Sequence, residues 1–258
     1  MSKKTKRQES ILGALDANPS IRVTEIADEL GVSSETVRRD LAELDNTGRI
    51  TRTYGGAVRT KTFEPALAER SKLHIKARET IARLAVERVG DANSLFIGGG
   101  ATLLHFARAL RQITRRLTVL TPSFSIATEL STNPLIEVMA LPGIVEPKEG
   151  LVIGGETLKS IARFRTPLAI VGASGVDTKG VSEALLSVAQ VYAAMIDNAD
   201  ETLVLADASK FGTRSLQQII SLRQNMCLIT EAAPDPEMQH AIRQSGAELI
   251  HGAQPSAP

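Results

Sequence analysis

The segment "SLFIGGGATLLHFARAL" (Ser94–Leu110) joins an apolar run to three glycines and then to the repeating apolar pattern of a helix. A short apolar strand that ends in glycines and opens into a helix is typical of α/β units. The helix N-terminus of such a unit presents backbone N–H groups, which favour a bound phosphate. The segment therefore predicts a strand, a tight loop able to hold an anion, and a helix.

Six further apolar runs extend this pattern toward the C-terminus. They are "LTVLTPS", "IEVMALPG", "LAIVGASG", "ETLVLADASKFG", "MCLIT" and "AELIHG". Val/Ile/Leu-rich runs that alternate with helical segments indicate a mostly parallel sheet with helices on both faces. The sequence thus predicts a large, mostly parallel α/β domain.

Ligands of such sheets bind at the carboxyl ends of the strands. The candidate site residues at the predicted strand ends are Gly99, Gly100, Ala101, Thr102, Thr121, Ser123, Gly143, Gly172, Ser174, Gly175, Asp207 and Lys210. Two alternatives stay open, since a glycine at a strand end can simply form a tight turn and Asp207 can pair with Lys210 in a structural ion pair. His105, on the helix after the loop, is expected to pack or lie at the surface.

The first sixty residues follow a different plan. Residues 6–17 have a helical apolar face, a second helix is predicted from Val23 or Thr24 to Leu30, and Gly31 ends it. Ser33 or Ser34 can cap a third helix, and "RITRTYGGAVR" predicts a hairpin. Three helices and a hairpin in this order predict a winged helix-turn-helix, so the chain is expected to be a small N-terminal winged helix-turn-helix followed by the α/β domain.

The third helix of such a module enters the major groove of DNA. Its predicted outer face consists of Ser33, Ser34, Glu35, Thr36, Arg38, Arg39 and Asp40, and the predicted wing contacts are Arg49, Arg52, Thr53, Tyr54 and Arg59. Hydroxyls suit phosphate oxygens and arginines suit guanine or phosphate, although adjacent arginines can also mark a solvated helix face. A basic arm of Lys3, Lys4, Lys6 and Arg7 is expected to favour the DNA backbone.

Composition limits the remaining classes of protein. The net charge of the 258 residues is +1, but residues 1–61 carry eleven Lys or Arg against nine Asp or Glu. No apolar run approaches a membrane span, and the polar N-terminus does not resemble a signal peptide. The single cysteine, Cys227, is expected to be a buried apolar residue, which favours a reducing, cytoplasmic location. No metal or cofactor is expected from the sequence. In particular, "GGGAT" lacks the glycine spacing of a dinucleotide-binding loop.

The segment "VTEIADELGVSSETVRRDLAELDNTGRITRTYGGAV" closely resembles the N-terminal signature of the DeoR family of bacterial transcription regulators. Tyr54 stands where that signature usually has His. The second domain resembles the DeoR effector domain, which is related to ribose-phosphate isomerases, and "GASGVDTKGVS" and "LADASKFG" match it well. The resemblance implies a DNA-binding domain over residues 1–60, a connecting helix over 61–78, an effector-binding domain over 79–252 and a tail over 253–258.

Several positions depart from the family pattern. They are Gly98 for the loop Asp, Ala101 for the first loop Thr, Pro122 for Asn, Pro142 for Gly, Pro167 for Asp, and Val188 and Tyr192 for a Glu and a Lys. These are mostly polar groups that the family pattern would place against the ligand. A repurposed or degenerate effector pocket therefore stays open as an alternative.

The resemblance implies a repressor of a carbohydrate or polyol operon. Because one winged helix buries only a modest interface with DNA, a homo-oligomer (dimer or tetramer) is also expected. Its partners are expected to be double-stranded operator DNA and a phosphorylated sugar-type metabolite that relieves repression, with no membrane partner. Two alternatives are a sugar-phosphate isomerase and a nucleotide-binding redox sensor. The isomerase is disfavoured by the loss of carboxylate and lysine at the departing positions, because proton transfer needs a positioned base and a cation.

Overall fold

The computed structural model describes residues 3–17, 21–46, 50–53, 56–59 and 67–252. The chain divides into two compact units, Met1–Pro65 and Ala66–Pro258.

The first unit is a three-helix module with a hairpin. It contains α1 (Lys3–Ala17), α2 (Val23–Leu30), α3 (Ser34–Asn46) and the antiparallel strands β1 (Ile50–Thr53) and β2 (Gly56–Arg59). Its core contains the apolar residues that the helical periodicity predicts, namely Ile11, Leu12, Leu15, Ile26, Ala27, Val37, Leu41 and Leu44. The predicted winged helix-turn-helix is confirmed.

Local backbone chemistry sets the turn between α2 and α3. Gly31 has φ +61°, a left-handed conformation that glycine adopts without strain, and its N–H bonds to the last carbonyls of α2. The Ser33 hydroxyl then accepts a hydrogen bond from the Thr36 N–H at 3.2 Å, which caps α3. The two helices are therefore joined by only three residues.

The second unit is built on a parallel sheet. Among the described residues, seven strands form it in the order β14-β13-β11-β8-β3-β4-β5, and every neighbouring pair is parallel. Their bounds are β3 (Ser94–Ile97), β4 (Leu117–Thr121), β5 (Ile136–Ala140), β8 (Thr166–Gly172), β11 (Ala199–Leu205), β13 (Met226–Thr230) and β14 (Glu248–His251). Each predicted apolar run supplies one strand, so the parallel α/β prediction is confirmed.

Helices cover both faces of this sheet. One face packs against α5 (Ile75–Val89), α6 (Ala101–Leu110) and α7 (Phe124–Leu130), and the other packs against α8 (Gly155–Ile161), α9 (Leu186–Asp197) and α10 (Pro236–Ser245). A four-residue helix, α4 (Leu67–Arg70), precedes α5, and a 3₁₀ turn (Ala208–Lys210) follows β11. No helix in the described part of the chain has the length and apolarity needed to cross a bilayer.

In the described part of the second unit, five short strands lie outside the large sheet, and they were not predicted from the sequence. A hairpin consists of β6 (Ile144–Glu146) and β7 (Leu151–Ile153). A small antiparallel sheet consists of β9 (Gly175–Asp177), β10 (Gly180–Glu183) and β12 (Gln217–Ile220). Runs of three or four residues are too short to show a clear alternating pattern.

The direction of the chain across the sheet reverses beside β3. From β3 the chain continues to β4 and β5 on one side, whereas β8 and the later strands lie on the other side. The Gly98 N–H extends the pairing by donating to the Ile170 carbonyl at 2.9 Å. The loops after β3 and β8 therefore flank the crevice where open α/β sheets bind ligands.

Candidate functional site

The projecting end of α3 carries most of the predicted DNA-contacting residues. Ser33, Glu35, Arg38 and Arg39 are exposed, and Ser34 and Thr36 are partly buried. Ser33 already caps the helix through its hydroxyl, which also lies 2.9 Å from the Thr36 hydroxyl. The Ser33 hydroxyl, the helix N-terminus and the two arginines are thus brought together on one surface.

Arg38 forms an ion pair with Glu35 on the same helix, with 3.7 Å between Nη1 and Oε2. The two side chains are 57% and 70% exposed, so the pair is well hydrated. Exposed pairs of this kind contribute about 0–1 kcal/mol. Arg38 can therefore exchange Glu35 for a phosphate or a base edge at little cost.

Asp40 does not belong to the outer face of α3, and this prediction was wrong. Its side chain is only 3% exposed, and it accepts hydrogen bonds from Arg7 Nε at 2.5 Å and Nη2 at 3.2 Å. Asp40 lies three residues after Val37 and four before Leu44, so the helical repeat places it on the buried side. Its role is to join α3 to α1.

The expected basic arm is also different in the structure. Helix α1 begins at Lys3, so these residues form its first turns rather than an extension ahead of the module. Lys4 donates to Glu43 at 2.7 Å, and this hydrogen bond lowers the pKa of Glu43. Together with the Arg7–Asp40 pair, this contact means that two of the four basic side chains hold α1 to α3.

The wing positions are described only in part. Arg49 and Tyr54 lie outside the described residues. Arg52 lies in β1, where it pairs in register with Ala57, and Thr53 and Arg59 lie in the same hairpin.

In the second unit, the glycine loop after β3 packs against Tyr192 of α9. The Tyr192 hydroxyl donates to the Gly99 carbonyl at 2.7 Å and accepts from the Gly99 N–H at 3.1 Å. Burial raises the pKa of the Tyr192 phenol, and the nearby Glu183 charge adds to the effect, so the phenol stays protonated. The Gly99 N–H, which we expected to face an anion, therefore donates to Tyr192 in this structure.

Gly98 and Tyr192 depend on each other sterically. A Cβ atom at Gly98 would lie 2.6 Å from Tyr192 Cε1 and 3.2 Å from Leu103 Cδ1. The tyrosine ring thus occupies the space into which any side chain at position 98 would extend. Gly98 and Tyr192 both depart from the family pattern, and the two departures are linked because the ring of one fills the space beside the other.

The N-terminus of α6 is the remaining candidate for anion binding in this loop. Gly100 is its N-cap with φ +107°, and no side chain among the described residues caps this helix end. Ala101 is buried and Thr102 is partly buried in the first turn. The first N–H groups of α6 are therefore oriented as an anion site requires.

Thr121 and Ser123, at the end of β4, are buried beside the same loop. The Thr121 hydroxyl donates to the Gly98 carbonyl at 3.4 Å and accepts from the Ser123 N–H at 3.1 Å. The Ser123 hydroxyl lies 3.1 Å from that of Ser125. These contacts hold the loop in place from the β4 side.

Three other predicted glycines have different surroundings. A Cβ at Gly143 would lie 2.1 Å from Thr157 Oγ1, and one at Gly175 would lie 2.6 Å from the Thr213 carbonyl oxygen. Close packing therefore explains glycine at both positions. Gly172 ends β8 at the crevice, where a Cβ would lie 3.8 Å from the Gly99 oxygen.

Buried charges form a second layer around the loop, and most were missed from the sequence. Ser174 donates to Glu183 at 2.7 Å, and Glu149 pairs with Arg70. The charges of Glu183 and Glu149 raise the pKa of Tyr192, whereas the charge of Arg70 lowers it. These residues come from separate elements, so no local motif in the sequence marks them.

Asp207 pairs with Arg78 of α5, which was not predicted. The distance from Arg78 Nη2 to Asp207 Oδ2 is 3.9 Å, and both side chains are almost fully buried. Asp207 also accepts from the Ser209 hydroxyl. Lys210 donates its backbone N–H to the Asp207 carbonyl at 2.9 Å.

Pro167 was expected to replace a ligand-binding group, and the structure places it elsewhere. It is the second residue of β8, at the amino end of the strand, and it lines a groove with Arg88, Asp91 and Asn225. The crevice lies at the carboxyl end of the same strand. The identity of residue 167 therefore carries no information about a ligand there.

Comparison with known proteins assigns both units to one family. Residues 7–63 match the DeoR-like helix-turn-helix domain, and residues 73–232 match the DeoR C terminal sensor domain. The chain is 31% identical over 246 residues to the uncharacterized HTH-type transcriptional regulator YulB of Bacillus subtilis (strain 168), a match that covers 94% of this chain and 95% of the relative.

Two further relatives are similar along their whole length. The putative aga operon transcriptional repressor of Escherichia coli O157:H7 is 27% identical, with 95% of this chain and 93% of the relative covered. The glycerol-3-phosphate regulon repressor of Escherichia coli (strain K12) is 26% identical, with 96% and 98% covered. The protein described above therefore belongs to the DeoR family of transcription regulators.

Proposed function

We propose that this protein represses a carbohydrate or polyol catabolic operon and that a phosphorylated metabolite relieves the repression. The observation that carries the proposal is the combination of an exposed, N-capped α3 bearing Arg38 and Arg39 with an uncapped α6 N-terminus at the crevice of the sheet. Similarity to relatives named as repressors, including that of the glycerol-3-phosphate regulon, supports this direction of regulation.

On the DNA side, residues 1–60 would place α3 in the major groove, with the wing against the flanking backbone. We propose contacts from Ser33, Ser34, Glu35, Thr36, Arg38 and Arg39, together with Arg49, Arg52 and Tyr54 of the wing. A single winged helix buries a modest interface, so firm operator binding calls for two or more copies of the chain. A fragment of residues 1–60 should then bind the operator far more weakly than the full chain, and equal affinity would contradict the proposed oligomer.

On the effector side, residues 79–252 would bind a phosphate at the first turn of α6, beside Gly100, Ala101 and Thr102. Thr121, Ser123 and Gly172 border this place, and Ser174, Asp207 and Lys210 lie on loops at the same end of the sheet. Because Tyr192 occupies the space beside Gly98, the remainder of the ligand would bind on the Asp207 side of the loop. The alternative of a degenerate pocket predicts that no phosphorylated compound binds.

The isomerase alternative is disfavoured by the state of the buried acids. Isomerisation of a sugar phosphate needs a free base near the substrate and a cation for the developing oxyanion. Glu149 and Asp207 are each paired with an arginine, Glu183 accepts hydrogen bonds from the Ser174 hydroxyl and the Ala184 N–H, and the Tyr192 phenol is held protonated. These contacts favour sensing of a ligand over chemistry on it.

The test is a thermal-shift and operator-binding titration of the full-length protein. The panel consists of sugar and polyol phosphates, each matched with its unphosphorylated form. One phosphorylated compound should raise the melting temperature by mass action and weaken operator binding about tenfold or more, whereas its matched form should do neither. If the protein bound no promoter DNA of any carbohydrate or polyol operon, the proposed repressor function would be wrong. If it bound operator DNA but no compound in the panel changed its melting temperature, the proposed phosphorylated effector would be wrong.

A further inference from the structure

Residues 67–78 are the first described residues of the second unit, and they form hydrogen bonds and ion pairs with loops of the candidate effector site. We call this segment the connector; it comprises α4, the following turn and the start of α5. The Leu67 N–H donates to the Lys148 carbonyl at 3.0 Å, and Arg70 pairs with the adjacent Glu149. Both partners belong to the turn of the β6–β7 hairpin, so the connector is held to that hairpin at its start.

Arg78 holds the other end of the connector. Its Nη1 donates to the Arg70 carbonyl at 2.5 Å and to the Leu73 carbonyl at 2.8 Å, while its Nη2 lies 3.9 Å from Asp207 Oδ2. One guanidinium thus joins the end of α4 and the turn before α5 to the loop after β11. Arg78 lies in the first turn of α5, and α5 packs against α6, the helix that follows the glycine loop.

The Arg78–Asp207 contact is incomplete as a buried ion pair. Asp207 is 1% exposed, yet its Oδ2 has no hydrogen-bond donor among the described residues. At 3.9 Å the Arg78 contact supplies charge but not a hydrogen bond. A buried carboxylate oxygen in this state gains from any donor that reaches it, either a ligand hydroxyl or Arg78 after a small movement.

We propose that the connector is the element through which an effector alters DNA binding, and that Arg70–Glu149 and Arg78–Asp207 are the contacts that hold it. An anion at the α6 N-terminus draws Arg78 toward itself, and a hydroxyl of the same ligand donates to Asp207 Oδ2. The carbonyls of Arg70 and Leu73 then lose the hydrogen bonds from Arg78, which weakens the hold on the turn between them, and the connector rearranges.

A rearrangement of the connector can reach the DNA-binding module because of where the connector lies in the chain. Residues 60–66 join the connector directly to β2 of the DNA-binding module, so it is the covalent route between sensor and module. Buried ion pairs suit a switch because their net stability is small while the loss of one partner is strongly unfavourable. This inference rests on the proposed repressor function and identifies how the same site would be regulated.

The first experiment breaks the hairpin contact in the full-length protein without any ligand. The variant Glu149→Gln should weaken operator binding about tenfold and speed hydrogen exchange of the Ser71 and Leu73 amides about tenfold. Glu156→Gln is the matched control, because Glu156 forms an exposed ion pair with Lys159 in the same unit. It should change both quantities by less than about twofold.

The variant Arg78→Lys provides a second test. It keeps the positive charge, and it can be used if Glu149→Gln fails to fold. A lysine offers a point charge but not the planar fork that joins Arg70, Leu73 and Asp207. The same loss of operator affinity and the same faster exchange are expected. Cooperatively folded variants that keep wild-type operator affinity and wild-type exchange would overturn the proposal.

Inorganic phosphate tests the role of the anion. It should speed exchange of the Ser71 and Leu73 amides in the wild type, and Arg78→Lys should reduce this response. No response at any phosphate concentration would overturn the anion step. If the wild type binds no operator DNA, the repressor function fails, and the exchange measurements alone decide whether the connector is held as proposed.

Discussion

Tyr192 and Gly99 satisfy each other through two hydrogen bonds, because one phenolic hydroxyl donates to the Gly99 carbonyl and accepts from the Gly99 N–H. The donor and acceptor of a buried glycine are thus both met by a side chain 93 residues away. The Gly99 N–H is therefore taken up inside the protein and is not offered to a ligand in this structure.

We expect Tyr192→Phe to destabilise the second unit. The substitution keeps the ring but leaves the Gly99 N–H and carbonyl without their partner, and an unsatisfied buried group costs about 1–3 kcal/mol. Denaturant unfolding followed by circular dichroism measures the change. An unaltered free energy of unfolding would mean that the two Gly99 groups find other partners.

Gly98→Ala should destabilise the protein through steric overlap with Tyr192. Overpacking of this kind costs about 1–3 kcal/mol. Gly155→Ala is the control, since a Cβ at Gly155 meets nothing within 4 Å and its φ is not positive. Equal melting temperatures for Gly98→Ala and Gly155→Ala would contradict the close contact between Tyr192 and the loop.

The coupling of Gly98 and Tyr192 makes a further prediction. In the double variant Gly98→Ala with Tyr192→Ala, the ring that the new methyl group meets is absent. The combined loss of stability should therefore be smaller than the sum of the two single losses, because residues in contact are not additive. Simple additivity in a double-mutant cycle would contradict the contact.

Arg38→Ala and Arg39→Ala should each cost about 1–3 kcal/mol of operator binding and reduce its dependence on salt. Glu35→Gln should strengthen binding, since it removes both a negative charge and the partner of Arg38. Arg83→Ala is the control, because Arg83 is an exposed arginine paired with Glu87 in the second unit. Fluorescence anisotropy at several salt concentrations distinguishes these outcomes. Affinities within about twofold of wild type for both arginine variants would refute the assignment of α3.

The stability of the second unit should decrease as the pH falls below 6.5, in part because of His105. Burial, with smaller contributions from Arg108 and Arg78, lowers the pKa of His105 below its ordinary 6.5. Between the folded and unfolded pKa values the unfolded chain binds more protons, so acid favours unfolding. His105→Gln should flatten the decline in melting temperature over this range. Equal slopes for both proteins would contradict the lowered pKa.

The large elements could be predicted because their signals are local. Each strand of the parallel sheet is a run of apolar residues, and each helix of the first unit shows a 3.6-residue repeat. The short strands of the β6–β7 hairpin and of the β9–β10–β12 sheet were not predicted because three or four residues contain at most two full periods of the strand pattern.

Contacts between distant residues could not be predicted in this way. Arg70 and Glu149 are 79 residues apart, and only the folded sheet brings them together. Asp40 was wrongly assigned to the outer face of α3, although its spacing from Val37 and Leu44 indicates the buried side. Its partner, Arg7, lies 33 residues away on another helix.

The order of the strands has a consequence for synthesis on the ribosome. β3 is a central strand of the sheet, and its Leu95 pairs in register with Leu168 of β8. The three helices and hairpin of the first unit need only the first 59 residues. β3 can pair with β4 soon after its synthesis, but its other neighbour, β8, is made much later. Domains fold as units during elongation, and long-range strand pairing is slow. A nascent chain is therefore expected to present a folded helix-turn-helix while its sensor is still incomplete.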